Sequence, residues 1–70
     1  MIAQLDIVLN GQARQLPASS SIADLLVAEG LAGKRVAVER NGEIVPKSQH
    51  AATPVAAGDK FEIVVAVGGG

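Results

Sequence analysis

The stretch that decides the fold is Lys60-Phe61-Glu62-Ile63-Val64-Val65-Ala66-Val67-Gly68-Gly69-Gly70. Between residues 60 and 67, one face is wholly apolar and the other mixes charged with apolar side chains, a period of two typical of a strand. Three glycines follow directly. A residue without a Cβ reaches backbone angles closed to other residues and lets another surface approach closely. We predict that residues 60–67 form the last strand of a sheet and that residues 68–70 form a flexible tail.

The size and composition of the chain predict one small aliphatic domain, residues 1–67. The chain has 70 residues, of which 49% are hydrophobic and 19% charged, values typical of folded domains. A chain this short buries only about 60% of its unfolded surface, which leaves little room for a deep pocket. It has no cysteine and one histidine, so disulfides are excluded and a zinc site is not expected.

Charge and hydropathy exclude several classes of partner. The net charge is −1 with acidic and basic residues interspersed, whereas nucleic-acid binding favours clustered basic residues and aromatic platforms. We therefore expect no nucleic-acid partner. No apolar stretch is long enough to span a bilayer and no signal-peptide pattern is present, so we expect no membrane association and, by default, a cytoplasmic location.

Two Asn-Gly pairs predict two β-hairpins. Asn10-Gly11 separates a strand at Gln4–Leu9 from a polar, edge-type strand at residues 12–16. Asn41-Gly42 separates strands at residues 35–40 and Glu43–Val45. Both central positions of a type I′ turn need positive φ, which asparagine and glycine tolerate.

Between the hairpins, the sequence predicts a helix of about ten residues. Ser21 and Asp24 have the spacing of a capping box, although Asp has a shorter reach than the usual Glu. Apolar Ile22, Leu25 and Leu26 follow at helical spacing, and Gly30 is a natural helix end. A helix this short must dock its apolar stripe on a sheet to be stable.

The order hairpin, helix, hairpin, final strand predicts an α+β fold. The final strand must lie beside strands already formed, because buried backbone donors need partners. A four- to five-stranded mixed sheet with one main helix packed across it satisfies this, and that is the ubiquitin-like β-grasp arrangement.

The region before the final strand offers no clear catalytic group. Residues 47–58 have no clear period, and turns are predicted at Thr53-Pro54 and Gly58-Asp59. His50 lies in this segment without a readable nucleophile partner and is predicted to be a solvated loop residue. Carboxylates such as Asp59 and Glu62 are predicted to solvate the sheet surface.

The glycine tail is the remaining candidate. With Gly70 last, the chemically active group is its α-carboxylate, and we expect no catalytic residue in the body. The alternative is that the glycines are only a frayed end, since small-residue termini are often disordered.

Taken together, these motifs resemble the ThiS family of ubiquitin-like sulfur carriers over essentially the whole chain. The motifs are Leu9-Asn10-Gly11, Ser21-Ile22-Ala23-Asp24-Leu25-Leu26, Val36-Ala37-Val38-Glu39-Arg40-Asn41-Gly42-Glu43-Ile44-Val45-Pro46-Lys47-Ser48-Gln49, and residues 58–70. The middle segment together with the terminal glycines is the specific part of the match. One departure is the third glycine, Gly68, before the Gly-Gly pair of the family.

The resemblance implies a carrier for thiamine biosynthesis rather than an enzyme. A ThiF-like, E1-related enzyme would adenylate Gly70 with ATP and Mg²⁺ held at that partner, so no cofactor is expected on this chain. Sulfur from a cysteine desulfurase would convert the adenylate to a thiocarboxylate, and a ThiG-like thiazole synthase would take that sulfur. Gly68 and Gly69 would thread into the partner sites.

The contact surface is predicted beside the tail. Val64, Ala66 and Val67 are candidate partner contacts because interfaces favour desolvated apolar centres, while Lys60 and Glu62 are expected to form a solvated rim. Two alternatives stay open. One is a sulfur carrier of the molybdopterin-synthase small-subunit type, and the other is a noncovalent β-grasp adaptor with a disordered tail.

Overall fold

The two Asn-Gly pairs form the predicted tight turns. The computed structural model describes residues 3–66. Asn10 and Gly11 have φ values of 49° and 81°, and Asn41 and Gly42 have 51° and 88°. All four values are positive, as a type I′ turn requires, and each pair joins two antiparallel strands.

The elements follow the predicted order, with small differences at their ends. They are β1 (Gln4–Leu9), β2 (Gln12–Pro17), α1 (Ile22–Ala28), β3 (Val36–Arg40), β4 (Glu43–Val45), a 3₁₀ turn (Lys47–Gln49) and β5 (Lys60–Val65). The five strands form one sheet in the order β2-β1-β5-β3-β4. β2 is an edge strand, as its polar sequence predicts. β5 is central, parallel to β1 and antiparallel to β3.

Both hydrogen bonds of the predicted capping box form, although its acidic residue is Asp24 rather than the longer glutamate. The Ser21 amide donates to Asp24 Oδ2 at 2.8 Å, and the Asp24 amide donates to Ser21 Oγ at 3.1 Å. The helix has seven residues rather than the predicted ten. It ends early because Glu29 leaves the helical conformation and Gly30 follows with φ of 73°. This positive φ is the left-handed conformation that commonly ends a helix.

One hydrophobic core lies between α1 and one face of the sheet. The apolar stripe of α1 is buried, and Ile22 and Leu25 have no exposed surface. Ile7 and Leu9 of β1 and Phe61 and Ile63 of β5 join this core, as the alternation predicts, whereas Val65 at the end of β5 is 39% exposed. The buried apolar residues are Ile7, Leu9, Leu16, Ile22, Leu25, Leu26, Val38, Val55, Phe61 and Ile63. This is the ubiquitin-like β-grasp arrangement that the element order predicts, with a mixed five-stranded sheet and one helix packed across it.

The segment between β4 and β5 differs from its prediction in one turn. Gly58, with φ of 84°, lies in a turn as expected. Pro54 does not, because it forms an isolated antiparallel bridge with Ser21. The Ile22 amide also donates to the Thr53 carbonyl at 3.0 Å, so this segment is attached to the start of the helix.

Candidate functional site

The strand β5, which leads to the glycines, is fixed from both sides. On one side, β1 pairs with its start through Val8↔Lys60 and Leu9↔Phe61. On the other side, β3 pairs with it from Phe61 to Val65. A central strand with neighbours on both sides is the most constrained position in a sheet, so β5 is held firmly by its two neighbours.

Asn10 extends the short β1–β5 ladder with its side chain. The Ile63 amide donates to Asn10 Oδ1 at 2.9 Å, and Asn10 Nδ2 donates to the Ile63 carbonyl at 3.3 Å. The side-chain amide therefore satisfies the donor and acceptor of one β5 residue, as a neighbouring strand would. β1 itself ends at Leu9, so the side chain of Asn10 takes the place of the backbone groups that a longer strand would present to β5.

Asn41 holds the start of β5 from the opposite side. Its Oδ1 accepts a hydrogen bond from the Lys60 amide at 2.9 Å, and its Nδ2 donates to Asp59 Oδ1 at 3.1 Å. The Asn41 amide also donates to the Lys60 carbonyl at 2.8 Å. Both hairpin asparagines thus serve two purposes, because they form the turn and they fix the strand that carries the tail.

Asp59 is the buried anchor directly before β5, which corrects the sequence prediction of a solvated surface carboxylate. Only 6% of its surface is exposed. It accepts hydrogen bonds from Arg40 Nε at 3.0 Å, from Asn41 Nδ2 at 3.1 Å and from the Ala56 amide at 2.8 Å. Charge-assisted hydrogen bonds of this kind are stronger than neutral ones. Asp59 therefore joins the β3–β4 hairpin to the start of β5.

The protonation of Asp59 reflects two opposing effects. Burial raises its pKa, because removing the carboxylate from water disfavours the charged form. The hydrogen bonds from Ala56, Asn41 and Arg40, together with the charge of the guanidinium, lower the pKa by more. The net result is a pKa below the ordinary value for aspartate, so the group is a stable anion at neutral pH.

The other wrong site prediction concerns His50, which is buried rather than solvated. Its exposed fraction is 6%, and its Nε2 lies 3.0 Å from the Val45 carbonyl oxygen. Its own carbonyl accepts a hydrogen bond from the Ala23 amide at 3.0 Å. His50 therefore connects the end of β4 to the first turn of α1. Its aperiodic sequence context gave no sign of this, because the partners lie in two other elements.

Two of the three predicted partner contacts, Val64 and Ala66, lie among the described residues. The structure leaves Val64 65% exposed, and it also leaves Ala66 exposed on the same face of β5. The Ala66 amide donates to the Arg35 carbonyl at 2.9 Å, so β3 still supports this position. Lys60 and Glu62 are exposed, as predicted. Val67, Gly68, Gly69 and Gly70 lie outside the described residues.

Other kinds of site find no support among residues 3–66. Within this range, no group of three or more histidine and acidic side chains is arranged to hold a metal ion. No helix in the same range is long and apolar enough to cross a membrane.

The fold and its anchored last strand define a ubiquitin-like β-grasp domain. Residues 7–70 match the model of the ThiS family. The chain belongs to the ThiS family.

Solved structures agree with this assignment. The chain is similar to the crystal structure of the thiamine biosynthesis protein ThiS from Geobacter metallireducens, with a TM-score of 0.79 and 32% sequence identity. The match covers 94% of this chain and 100% of that one. An NMR structure of a thiamine biosynthesis protein from the same organism matches with a TM-score of 0.75 and 32% identity, covering 94% of this chain and 88% of that one.

Curated relatives are much longer than this chain. A thiazole synthase from Paramagnetospirillum magneticum is 48% identical over 66 residues, and one from Magnetococcus marinus is 35% identical over 66 residues. Each match covers 94% of this chain but 20% of the relative. The chain thus spans about a fifth of the length of these relatives.

Proposed function

We propose that this protein is a sulfur carrier for thiazole formation in thiamine biosynthesis. It acts as a protein co-substrate, and partner enzymes perform the chemistry. The observation that carries the proposal is the position of β5, a central strand fixed by Asn10 and Asn41 on opposite sides, directly before the glycines. Membership of the ThiS family and the thiamine-related structural relatives support the same role.

The proposed reaction begins at the carboxylate of Gly70. A carboxylate is a poor acyl donor. Its oxygen attacks the α-phosphorus of ATP, pyrophosphate leaves, and the resulting mixed anhydride has AMP as a good leaving group. That step needs Mg²⁺ and a site that stabilises anions. We assign ATP and Mg²⁺ to a ThiF-like, E1-related partner, as the relation to the ThiS family implies.

The second step exchanges oxygen for sulfur. The cysteine desulfurase supplies sulfur as a persulfide, whose terminal sulfur attacks the acyl carbon, so that a C–S bond forms and the C–O bond to AMP breaks. A second thiol then reduces the S–S bond of the resulting acyl disulfide, which releases a thiocarboxylate on Gly70 and leaves a disulfide between the two thiols. Gly68 and Gly69 place no side chain next to the reacting carbon, so a narrow enzyme site can admit the tail.

The proposed acceptor is thiazole synthase. Two curated proteins of that name contain a segment of 66 residues that is similar to this chain. Joining a carrier to its acceptor enzyme in one polypeptide raises their effective concentration, which makes such a fusion physically reasonable for two proteins that react with each other. This supports sulfur transfer from the carrier to thiazole synthase.

The proposed function predicts that adenylation of the protein depends on its C-terminal tail. The protein is mixed with the adenylating enzyme of its own organism, ATP and Mg²⁺, and ATP–pyrophosphate exchange is measured for the wild type and for a variant lacking Gly70. We expect exchange with the wild type and none with the deletion. Equal exchange would favour a noncovalent adaptor over a carrier.

A second measurement identifies the product. Intact-mass analysis of protein isolated from its native cell should show replacement of one oxygen by sulfur at the C-terminus. Capture of a molybdopterin-synthase large subunit instead of a thiazole synthase would move the assignment to the other class of carrier.

A further inference from the structure

The two Asn-Gly turns combine a reactive dipeptide with an asparagine side chain that the fold uses. The amide nitrogen of the glycine can attack the side-chain carbonyl carbon of the asparagine, because glycine has no Cβ to hinder the approach. Asparagine is counted among the thermolabile residues of proteins. Asn10-Gly11 and Asn41-Gly42 are the two pairs of this type in the sequence.

Both turns hold their asparagine in place, but the hairpin around Asn41 is the less firmly paired of the two. β1 and β2 pair through six residues of each strand, whereas β3 and β4 pair through three. β4 is also an edge strand of three residues. Segments with few pairings open locally at a lower free energy than well-paired ones. The side chain of Asn41 is therefore released more often than that of Asn10.

The hydrogen-bond partners of Asn41 determine what a change in its side chain would do. Its Nδ2 donates to Asp59 Oδ1 at 3.1 Å, and its Oδ1 accepts from the Lys60 amide at 2.9 Å. Conversion to aspartate would replace the Nδ2 donor by a carboxylate oxygen facing the carboxylate of Asp59, and like charges at this distance repel. The same conversion at Asn10 would remove one donor to the Ile63 carbonyl without bringing two charges together.

We propose that Asn41 is a site of spontaneous deamidation, and that its conversion detaches the β3–β4 hairpin from the start of β5. In the first step, the nitrogen of Gly42 gives up its proton and forms a bond to Cγ of Asn41, while the Cγ–Nδ2 bond breaks and ammonia leaves. The product is a cyclic succinimide. Water then opens the ring at either carbonyl, which gives aspartate or isoaspartate. In isoaspartate the main chain runs through the side-chain carbon, so a turn of two residues gains one carbon.

The fold slows this reaction as long as the hairpin is closed. Two hydrogen bonds fix the Asn41 side chain against the start of β5, and the Asn41 amide also donates to the Lys60 carbonyl at 2.8 Å. Ring closure requires rotation of the side chain and of the following peptide unit, so these bonds must break first. Once aspartate has formed, repulsion from Asp59 opposes closing of the hairpin, and the loss of ammonia makes the change irreversible. The turn would thus limit the lifetime of the folded domain, whatever its partners.

The experiment follows the full chain over time. Purified protein is incubated at neutral pH and physiological temperature, and peptide mapping by mass spectrometry measures aspartate and isoaspartate at positions 41 and 10. A synthetic peptide of residues 36–45 gives the rate for the same Asn-Gly pair without the fold. Thermal unfolding is recorded for the wild type, Asn41→Asp and the matched control Asn10→Asp. Asp59→Asn is measured alone and in combination with Asn41→Asp.

The expected rates show control by the fold and a difference between the two turns. Asn41 should react at least about tenfold more slowly in the folded chain than in the peptide, because only the open hairpin reacts. Within the folded chain, Asn41 should react before Asn10. Asn41→Asp should have a lower Tm than Asn10→Asp. Adding Asp59→Asn to Asn41→Asp should lower the Tm less than Asp59→Asn lowers that of the wild type, because the amide and the carboxylate would exchange places.

Each other result of these measurements would overturn the proposal. Such results are equal rates at Asn41 in the folded chain and in the peptide, earlier reaction at Asn10, or a Tm of Asn41→Asp that is not below that of Asn10→Asp. Additive losses of Tm for Asn41→Asp and Asp59→Asn would also do so, because they would mean that the two carboxylates do not meet. An Asn41→Asp chain that fails to fold while Asn10→Asp folds would support it, as would rescue of that chain by Asp59→Asn.

Discussion

The side-chain amide of Asn10 bonds to both backbone polar groups of Ile63, a residue 53 positions further along the chain. The turn residue of the first hairpin thereby takes the place of a strand residue beside β5. The remaining β1–β5 pairing covers only Lys60 and Phe61 on β5. On the β1 side, the middle of β5 should therefore depend on this side chain, while β3 supports the strand from the other side.

The first prediction tests this role with Asn10→Gly. Glycine keeps the positive φ of the turn without strain, so the variant removes the two hydrogen bonds and adds a smaller cost from the greater freedom of glycine in the unfolded chain. We expect the free energy of unfolding to fall by about 1–2 kcal/mol, and exchange of the Ile63 amide proton to accelerate. Asn10→Asp is the control, because it keeps the acceptor for the Ile63 amide and should retain more protection. Unaltered exchange at Ile63 after Asn10→Gly would show that the contact is dispensable.

The second prediction concerns acid stability. The pKa of Asp59 is lower in the folded chain than when unfolded, so this carboxylate stabilises the fold fully above its unfolded pKa of about 4. That contribution disappears as the pH falls from about 4 through the lowered folded pKa. Asp59→Asn should lose about 1.5–3 kcal/mol near pH 7, because an amide group would face the donors of Arg40 and Asn41.

The pH profile provides the check on this assignment. The difference in unfolding free energy between wild type and Asp59→Asn should shrink as the pH is lowered below about 4. Glu43→Gln, which changes an exposed carboxylate, should unfold like the wild type across the same range. A wild-type to Asp59→Asn difference that stays constant down to strongly acid pH would mean that the ionised carboxylate is not the stabilising species.

Local patterns were sufficient to predict most of the fold. Each Asn-Gly pair specifies a turn through its own backbone preferences, and the alternation around Phe61 and Ile63 specifies which face is buried. The capping box of Ser21 and Asp24 likewise involves residues three apart. These features depend on near neighbours, so they can be derived from the sequence.

Long-range polar contacts could not be derived in this way. Asp59 and His50 are buried by residues from other elements, and the periodicity of the neighbouring sequence does not predict such contacts. The same holds for Glu39 and Glu62, whose opposition depends on the register between β3 and β5. The tail stays a prediction from its three glycines, whereas the pairing of β5 with both β1 and β3 could be known only from the sheet order.

The third prediction tests the docking of the helix. Leu26 is 8% exposed in the core, whereas its neighbour Val27 is 63% exposed. Leu26→Ala should lower the free energy of unfolding by about 2–5 kcal/mol, through lost burial and a residual cavity. Val27→Ala should change it by no more than about 0.5 kcal/mol, as expected for a surface position. Chemical denaturation of both variants measures the contrast, and similar losses would contradict the packing of α1 described above.

The fourth prediction concerns the exposed valine beside the tail. Val64 and Val27 have nearly equal exposure, 65% and 63%, but they lie on opposite sides of the molecule, one on the open sheet face and one on the helix. Val64→Gln should raise the KM for the carrier in the adenylation assay about tenfold, because Val64 is a predicted partner contact and a polar side chain there would weaken an apolar interface. Val27→Gln should leave this KM unchanged. Both variants should keep cooperative unfolding, which the same samples can verify by thermal denaturation. If Val27→Gln impaired adenylation as much as Val64→Gln, the enzyme would have to contact the helix side, and the sheet face would not be the docking surface.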